Sequence, residues 1–156
     1  MIPVRLVLAD DHEIMRVGLR HLLQEQPNWS VVGEAVDGEE AVDMVLSLKP
    51  DVALLDIAMP KLNGLEAAKQ ILAQGARTKI LLLSAHHSTE VIADVLDSGA
   101  MGYVLKSDAA RDLVAAVEAV RSSQTFFTPK VAELVLSRHL RRVKDQADKD
   151  KKNGRT

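Results

Sequence analysis

Five polar residues in this sequence have side chains suited to phosphoryl chemistry, and each stands at the end of a short apolar run. The carboxylates Asp10 and Asp11 follow VRLVLA, and a third, Asp56, ends the run in DVALLDIAMP. The hydroxyl of Ser84 follows KILLL, and the amine of Lys106 follows GYVL. Clustered carboxylates attract a hard divalent cation such as Mg²⁺. A lysine and a hydroxyl can neutralise and hydrogen-bond a phosphoryl group that a carboxylate accepts.

The apolar runs predict strands, and the segments between them predict helices. Five runs recur at the length of a buried strand: 4–9, 30–35, 51–55, 79–83 and 102–105. The intervening segments have apolar residues at helical spacing, as in Met15, Leu19 and Leu22 before Pro27. Alternating strands and helices with short connections favour an α/β fold with a five-stranded parallel sheet. Right-handed crossovers make such a sheet doubly wound.

This architecture predicts that the polar residues lie together. Ligands of parallel α/β sheets bind beyond the carboxyl ends of the strands, and the first and third strands are neighbours in a doubly wound sheet. Three close carboxylates repel one another, so at least one stays protonated unless a cation is present. We therefore expect Asp10, Asp11 and Asp56 to share a divalent ion, with Lys106 and Ser84 opposite them.

Each of these residues has an ordinary structural explanation when taken alone. The paired aspartates can cap the helix predicted near Glu13, and Asp56 can cap a turn before Pro60. Ser84 and Lys106 can be strand-end and surface groups. Those explanations leave unexplained why such groups recur at the ends of four of the five predicted strands.

Composition limits the classes of protein that the chain can belong to. Of its 156 residues 47% are hydrophobic, which is enough for a core, and none is cysteine. The absence of cysteine excludes disulfides and thiolate chemistry. The apolar runs are far shorter than a membrane span, and the N-terminus turns acidic too early for a signal peptide. We expect a cytoplasmic protein without membrane contact.

Charge divides the chain into an acidic part and a basic tail. Residues 1–129 carry a net charge of −7, and residues 130–156 carry +5. A basic tail can contact nucleic acid, but no aromatic residue is interleaved to stack on bases. We assign 123–143 to an amphipathic linker helix, whose helical residues begin after Thr128. We interpret 144–156 as a flexible charged linker.

Several segments resemble the receiver domain of bacterial two-component response regulators, most closely the NarL/FixJ (LuxR) type. They are LADDHEIMRVGL, VVGEAVDGEEAV, LLDIAMPKLNGLEA, ILLLSAH and GAMGYVLKSDA. The resemblance covers residues 4 to about 122, so the receiver is assigned to 1–122. It implies a flavodoxin-like fold of five parallel strands in the order 2-1-3-4-5, followed by the linker helix.

The resemblance also implies roles for the polar residues. Asp56 is then the phosphorylated residue, and Mg²⁺, or alternatively Mn²⁺, is held by Asp10, Asp11, Asp56 and the backbone carbonyl of Ala58. Asp11 is expected to be the direct ligand and Asp10 a water-mediated one.

Two further roles follow from the same family. Ser84 and Lys106 are expected to contact the phosphoryl oxygens. Tyr103 is expected to be an aromatic switch that responds when Ser84 moves toward the phosphate. A buried structural tyrosine is the alternative explanation of Tyr103.

The implied function is a signalling switch and not an enzyme with a separate substrate. A sensor histidine kinase is expected to donate the phosphoryl group, and the chain to catalyse only its own phosphorylation and dephosphorylation. Phosphorylation is expected to favour a homodimer. Control of transcription and DNA binding are expected to require a helix-turn-helix domain that these 156 residues do not contain.

Four alternatives remain at this point. The chain can be a stand-alone receiver that acts by protein contact. It can be a phosphatase with Asp56 as nucleophile, although the position where such enzymes usually have a general acid is Ala58. It can be a dinucleotide-binding domain, although no G-x-G-x-x-G follows its first predicted strand. The pair His86 and His87 could ligate Zn²⁺.

Overall fold

Strand and helix alternate along most of the chain. A computed structural model describes residues 2–85, 89–127 and 129–153. The elements in chain order are β1 (Val4–Ala9), α1 (Glu13–Gln24), β2 (Trp29–Ala35), α2 (Gly38–Leu48), β3 (Val52–Asp56), α3 (Gly64–Ala73), β4 (Lys79–Ser84), α4 (Thr89–Asp97), β5 (Gly102–Leu105), a 3₁₀ turn (Lys106–Asp108), α5 (Ala109–Arg121), β6 (Phe126–Phe127) and α6 (Pro129–Asn153). No helix in the described part of the chain is both long enough and apolar enough to cross a membrane.

All strands are parallel and form one sheet in the order β2-β1-β3-β4-β5-β6. The parallel sheet and the order of its first five strands agree with the prediction. The strand ends are also aligned, since Ala9 pairs with Leu55 and Ser84 pairs with Leu105. The residues that follow these strands therefore come out at one edge of the sheet.

The prediction of five strands is wrong, because the described residues contain a sixth. β6 pairs with β5 through Gly102–Phe126 and Tyr103–Phe127, and the Phe126 amide donates to the Met101 carbonyl at 2.9 Å. Two aromatic residues suit a sheet edge, but two residues are too few to show an alternating pattern. This strand follows α5 and leads the chain into α6.

Helices cover both faces of the sheet, which explains why its central strands are apolar throughout. On one face, side chains such as Val7, Leu55 and Leu82 pack against α2, α3 and α4. On the other, Leu54 and Leu81 pack with residues of α1 and α5. All five residues of β3 are buried, including its final Asp56. A strand buried on both faces is expected to be a continuous hydrophobic run. A charged residue at the end of β3 is therefore unusual.

The loop after β3 is fixed by close backbone packing. The Asn63 side chain caps α3 by accepting a hydrogen bond from the Glu66 amide at 2.9 Å. Gly64 packs directly on the strand tip, where a Cβ atom would overlap the Asp56 carbonyl oxygen. The Gly64 amide donates to the Ile57 carbonyl at 2.9 Å. The first turn of α3 therefore holds the backbone around Asp56 in place.

Helix α6 is longer than the linker helix predicted from the sequence. The structure extends it to Asn153, through the charged residues interpreted as a flexible linker. No glycine or proline interrupts 130–153, and the Gln146 side chain donates to Asp150 one turn later at 3.1 Å. At the start of the helix Val131 is fully buried in the same apolar cluster as Tyr103. Leu136, Leu140 and Val143 are exposed.

Gly64→Ala should destabilise the protein by about 1–3 kcal/mol, the usual cost of overpacking, because the added methyl group meets backbone rather than a flexible side chain. Gly18→Ala in α1 is the matched control. Nothing lies within 4 Å of its Cβ position, so this change should stabilise by up to about 1 kcal/mol. Urea unfolding measures both variants. Equal stability of the two would contradict the packing described around Asp56.

Candidate functional site

The tips of β1, β3 and β5 bring three charged side chains into contact. The Lys106 ammonium nitrogen lies 2.7 Å from Asp56 Oδ2 and 2.9 Å from Asp10 Oδ2. The side chains of Asp10, Asp56 and Lys106 are 0%, 2% and 8% exposed. Charges this deeply buried persist only when they are paired. The three side chains therefore form one buried ionic group.

The strand order explains why this group contains a lysine. β4 lies between β3 and β5, and neighbouring strands are about 4.8 Å apart. A residue at the end of β5 must therefore reach across one strand to meet Asp56. Lysine has a long flexible stem that can cover this distance and still present its charge at the far end.

Asp11 and His12 complete an acidic cluster beside this group. The Asp11 side chain is 34% exposed, and His12 Nδ1 lies 3.2 Å from the Oδ1 atoms of both Asp10 and Asp11. One ligand atom from each of Asp10, Asp11, His12 and Asp56 lies within 4.8 Å of the other three. The cluster therefore has the size of a site for a single metal ion.

The backbone around the cluster is held by further hydrogen bonds. The His12 amide donates to Asp10 Oδ1 at 2.8 Å, and the Ala58 amide donates to Asp56 Oδ1 at 3.2 Å. The amide of Ala58 thus has a partner in the site. The proposed ligand role of the Ala58 carbonyl stays a prediction.

A buried oxygen of the cluster shows that it fits a cation. Asp10 Oδ2 accepts no hydrogen bond from the described residues, and its contact with Lys106 is ionic rather than well directed. Buried acceptors without a hydrogen bond are rare in folded proteins. Three carboxylates around one amine are also left with excess negative charge. Oxygen donors with this charge suit a hard ion such as Mg²⁺.

Burial and the ion pairs affect the pKa values in opposite directions. Burial raises the pKa of Asp56, Lys106 opposes this through its hydrogen bond and charge, and the charge of Asp10 adds to the rise. For Lys106, burial lowers the pKa, but the contacts with Asp56 and Asp10 together outweigh it, and the net pKa is raised. Lys106 is therefore a cation at neutral pH. Carboxyl groups perturbed in this way are typical of functional sites.

Ser84 lies at the same edge of the sheet as the ionic group. Ser84 ends β4 one residue beyond Leu83, which pairs with Asp56, and it is buried. A side-chain hydrogen bond links Ser84 to Tyr103, which is completely buried on β5. Burial raises the pKa of the Tyr103 hydroxyl, and this hydrogen bond opposes the rise. The residues His86 and His87 lie outside the described residues.

Two residues near the site were missed in the sequence. His12 was not among the candidates, although it directly follows the aspartate pair. Arg16 donates from Nη1 to the Asp10 carbonyl at 2.8 Å and from Nε to Glu34 at 3.1 Å. It thereby ties the loop after β1 to β2. Both residues belong to the motif LADDHEIMRVGL, so the signal was adjacency to the acidic pair.

Comparison with known proteins gives the same family. The model of the response regulator receiver domain matches residues 6–118. The transcriptional regulatory protein DegU of Brevibacillus brevis is 35% identical over 97% of this chain and 64% of its own length. The chain spans about three fifths of the length of the curated relatives it matches.

Solved structures of response regulators have the same fold. A two-component response regulator of the LuxR family from Aurantimonas sp. SI85-9A1 superposes with a TM-score of 0.83 at 31% identity, covering 89% of this chain and 99% of that one. The receiver domain of the putative response regulator NarL from Mycobacterium tuberculosis has a TM-score of 0.77 at 35% identity, covering 80% and 100%. The predicted resemblance is confirmed: the chain belongs to the response regulator receiver domain family, and its relatives are of the LuxR/NarL type.

Proposed function

We propose that this receiver is a switch in which Asp56 accepts a phosphoryl group from the phosphohistidine of a sensor histidine kinase, in a Mg²⁺-dependent reaction. The observation that carries the proposal is the buried carboxylate of Asp56, held 2.7 Å from a lysine cation and beside two further aspartates. In the transfer, the phosphorus–nitrogen bond of the donor breaks, its electron pair stays on the kinase's histidine, which leaves as imidazole, and a bond from phosphorus to an Asp56 oxygen forms.

The side chains of this site have separate roles in the proposed reaction. Mg²⁺, when bound, neutralises oxygens of the phosphoryl group, and its proposed protein ligands are Asp11, Asp56 and the Ala58 carbonyl, with Asp10 acting through water. The Lys106 ammonium group, already paired with Asp56, can form an ion pair with a phosphoryl oxygen. Positioning and charge neutralisation supply most of the catalysis in phosphoryl transfer, so no separate acid or base is needed.

The signal is proposed to leave the site through Ser84 and Tyr103. A phosphoryl group on Asp56 is a new acceptor for the Ser84 hydroxyl, which now contacts Tyr103. Tyr103 belongs to the same apolar cluster as Ile92 and Val95 of α4 and Val131 of α6. A rearrangement of this cluster would therefore reach α6. Such a local charge change acting on a packed element is a common form of switch.

The proposal for the whole protein follows from its longer relatives. The acidic receiver would control transcription in the cytoplasm through a DNA-binding helix-turn-helix domain outside these 156 residues, and phosphorylation would favour a homodimer. Helix α6 would connect the receiver to that domain. The chain would have no enzymatic activity other than its own phosphorylation and dephosphorylation.

Phosphorylation is tested by intact-mass spectrometry after incubation with acetyl phosphate and Mg²⁺. We expect a single added phosphoryl group in the parent protein and none in Asp56→Asn. Asp43→Asn, an exposed carboxylate of α2, is the control and should be modified like the parent. A phosphoryl group that still appears in Asp56→Asn would show that the acceptor is elsewhere.

Calorimetric titration with Mg²⁺ distinguishes the two aspartates after β1. Asp11→Asn should weaken binding by more than about tenfold, and Asp10→Asn should weaken it less, since a water-mediated partner generally matters less than a direct ligand. Asparagine keeps the size of each side chain, so the fold is preserved. Unchanged Mg²⁺ affinity in Asp11→Asn would mean that the ligand roles are assigned wrongly.

Lys106→Met should lower the free energy of unfolding at pH 7 by about 3–5 kcal/mol, because two buried carboxylates lose their counter-charge. Burial raises the pKa of Asp56 and Lys106 opposes this rise, so without Lys106 the pKa of Asp56 should be higher still, and protonation should stabilise the folded variant more than the folded parent. The deficit should therefore shrink as the pH falls from 7 to 5. Lys69→Met, at an exposed pair 4.0 Å from Glu66, should cost less than about 1 kcal/mol. A deficit that grows at pH 5 would contradict this electrostatic account.

A further inference from the structure

His12 is the residue directly before α1, but its side chain does not cap the helix. The residue before a helix is usually serine, threonine, aspartate or asparagine, whose side chain accepts from a free backbone amide. The His12 side chain makes no such hydrogen bond. Its Nδ1 atom instead lies 3.2 Å from Oδ1 of Asp10 and 3.2 Å from Oδ1 of Asp11. The imidazole therefore faces the acidic cluster.

We propose that His12 Nδ1 is a further metal ligand of this site. With this nitrogen ligand, the receiver would bind Mn²⁺ and Co²⁺ more tightly than an all-oxygen site would. Its affinity for Mg²⁺ would not increase. The inference rests on the proposed function, because it concerns the metal that supports phosphorylation of Asp56. The affinity of a site with nitrogen and oxygen ligands rises along the transition metals from Mn²⁺ to Co²⁺, whereas Mg²⁺ prefers oxygen ligands and retains its waters.

The distances agree with shared coordination. Metal–ligand bonds of about 2.1 Å at right angles place neighbouring ligand atoms about 3 Å apart. The spacing of 3.2 Å between His12 Nδ1 and Oδ1 of Asp11, the proposed direct ligand, is close to this value. Opposite ligands of such an ion are about 4.2 Å apart, and the four ligand atoms of the cluster lie within 4.8 Å of one another. An ion could thus bind with small side-chain movements.

A second observation separates this cluster from an ordinary acidic surface. Asp10 is completely buried, and its Oδ2 accepts no hydrogen bond from the described residues. Solvated surface carboxylates have no such deficit. The cluster thus combines a buried carboxylate, whose Oδ2 has only the ionic contact with Lys106, with a histidine nitrogen that lies against Oδ1 of the same carboxylate.

His12 can also leave the ion, which would explain how one site serves two kinds of metal. Its side chain is 67% exposed, so it can turn into solvent without breaking the core. Water then fills its position around Mg²⁺. For Mn²⁺ or Co²⁺ the nitrogen ligand is preferred to water, and the ring stays in place.

The alternative role is a hydrogen bond from His12 that only holds the two carboxylates. That role would help every divalent ion to the same extent. A nitrogen ligand would favour Mn²⁺ and Co²⁺ selectively and would leave a direct spectroscopic trace. Metal selectivity and nitrogen coupling therefore distinguish the two roles.

The test uses the full 156-residue chain loaded with Mn²⁺ and measured by pulsed electron paramagnetic resonance. We expect modulation from an imidazole nitrogen in the parent protein and its loss in His12→Asn, in which asparagine remains a good residue for the helix start. The modulation should persist in His21→Asn, an exposed histidine on α1. It should also persist in the double variant of His86 and His87 to asparagine, the histidines that follow Ser84 in the sequence.

Calorimetric titrations supply the second readout. His12→Asn should lose about tenfold in affinity for Mn²⁺ and Co²⁺, at the low end for altered metal sites, and less than about twofold for Mg²⁺. Absence of nitrogen modulation in the parent, or equal losses for Mg²⁺ and Mn²⁺, would overturn the proposal while the phosphorylation of Asp56 stands. Mn²⁺ binding that persists unchanged in Asp11→Asn would overturn both, because the ion would then lie elsewhere.

Discussion

One buried lysine between two buried carboxylates is the interaction on which the rest of this structure depends. Lys106 is within 2.9 Å of both Asp10 and Asp56, yet one cation cannot neutralise two aspartates with Asp11 beside them. Burial makes this imbalance expensive, because the carboxylates cannot be hydrated. The site therefore favours further positive charge and any ligand that brings it. A phosphoryl group that arrives with a metal ion fits this need.

The surrounding fold holds these charges at the tips of separate strands. Asp10, Asp56 and Lys106 follow β1, β3 and β5, so their backbones are anchored in one sheet. Arg16 braces the loop after β1, and Gly64 braces the loop after β3. These contacts keep the carboxylates close together although they repel one another. The Ser84–Tyr103 pair connects the site to the apolar cluster that also contains Val131 of α6.

The sequence predicted the parallel sheet and the convergence of its polar strand ends, because apolar runs and their end residues are local signals. Asp56 was informative since a charge rarely ends a strand buried on both faces. β6 was missed because Phe126 and Phe127 are too short a run to show a period. His12 and Arg16 were missed because their importance depends on distances across the fold. The full length of α6 was missed because charged composition alone does not exclude a helix.

The central claim is that charge on Asp56 is transmitted through Ser84 and Tyr103 to α6. Backbone amide shifts in ¹H–¹⁵N NMR spectra, recorded before and after beryllofluoride is added with Mg²⁺, test it most directly. The account predicts large changes at Asp56, Ser84 and Tyr103 and at the first turn of α6 around Val131. In Ser84→Ala the changes near Asp56 should remain and those in α6 should disappear. Changes confined to the loops around Asp10 and Asp56 in the parent protein would contradict it.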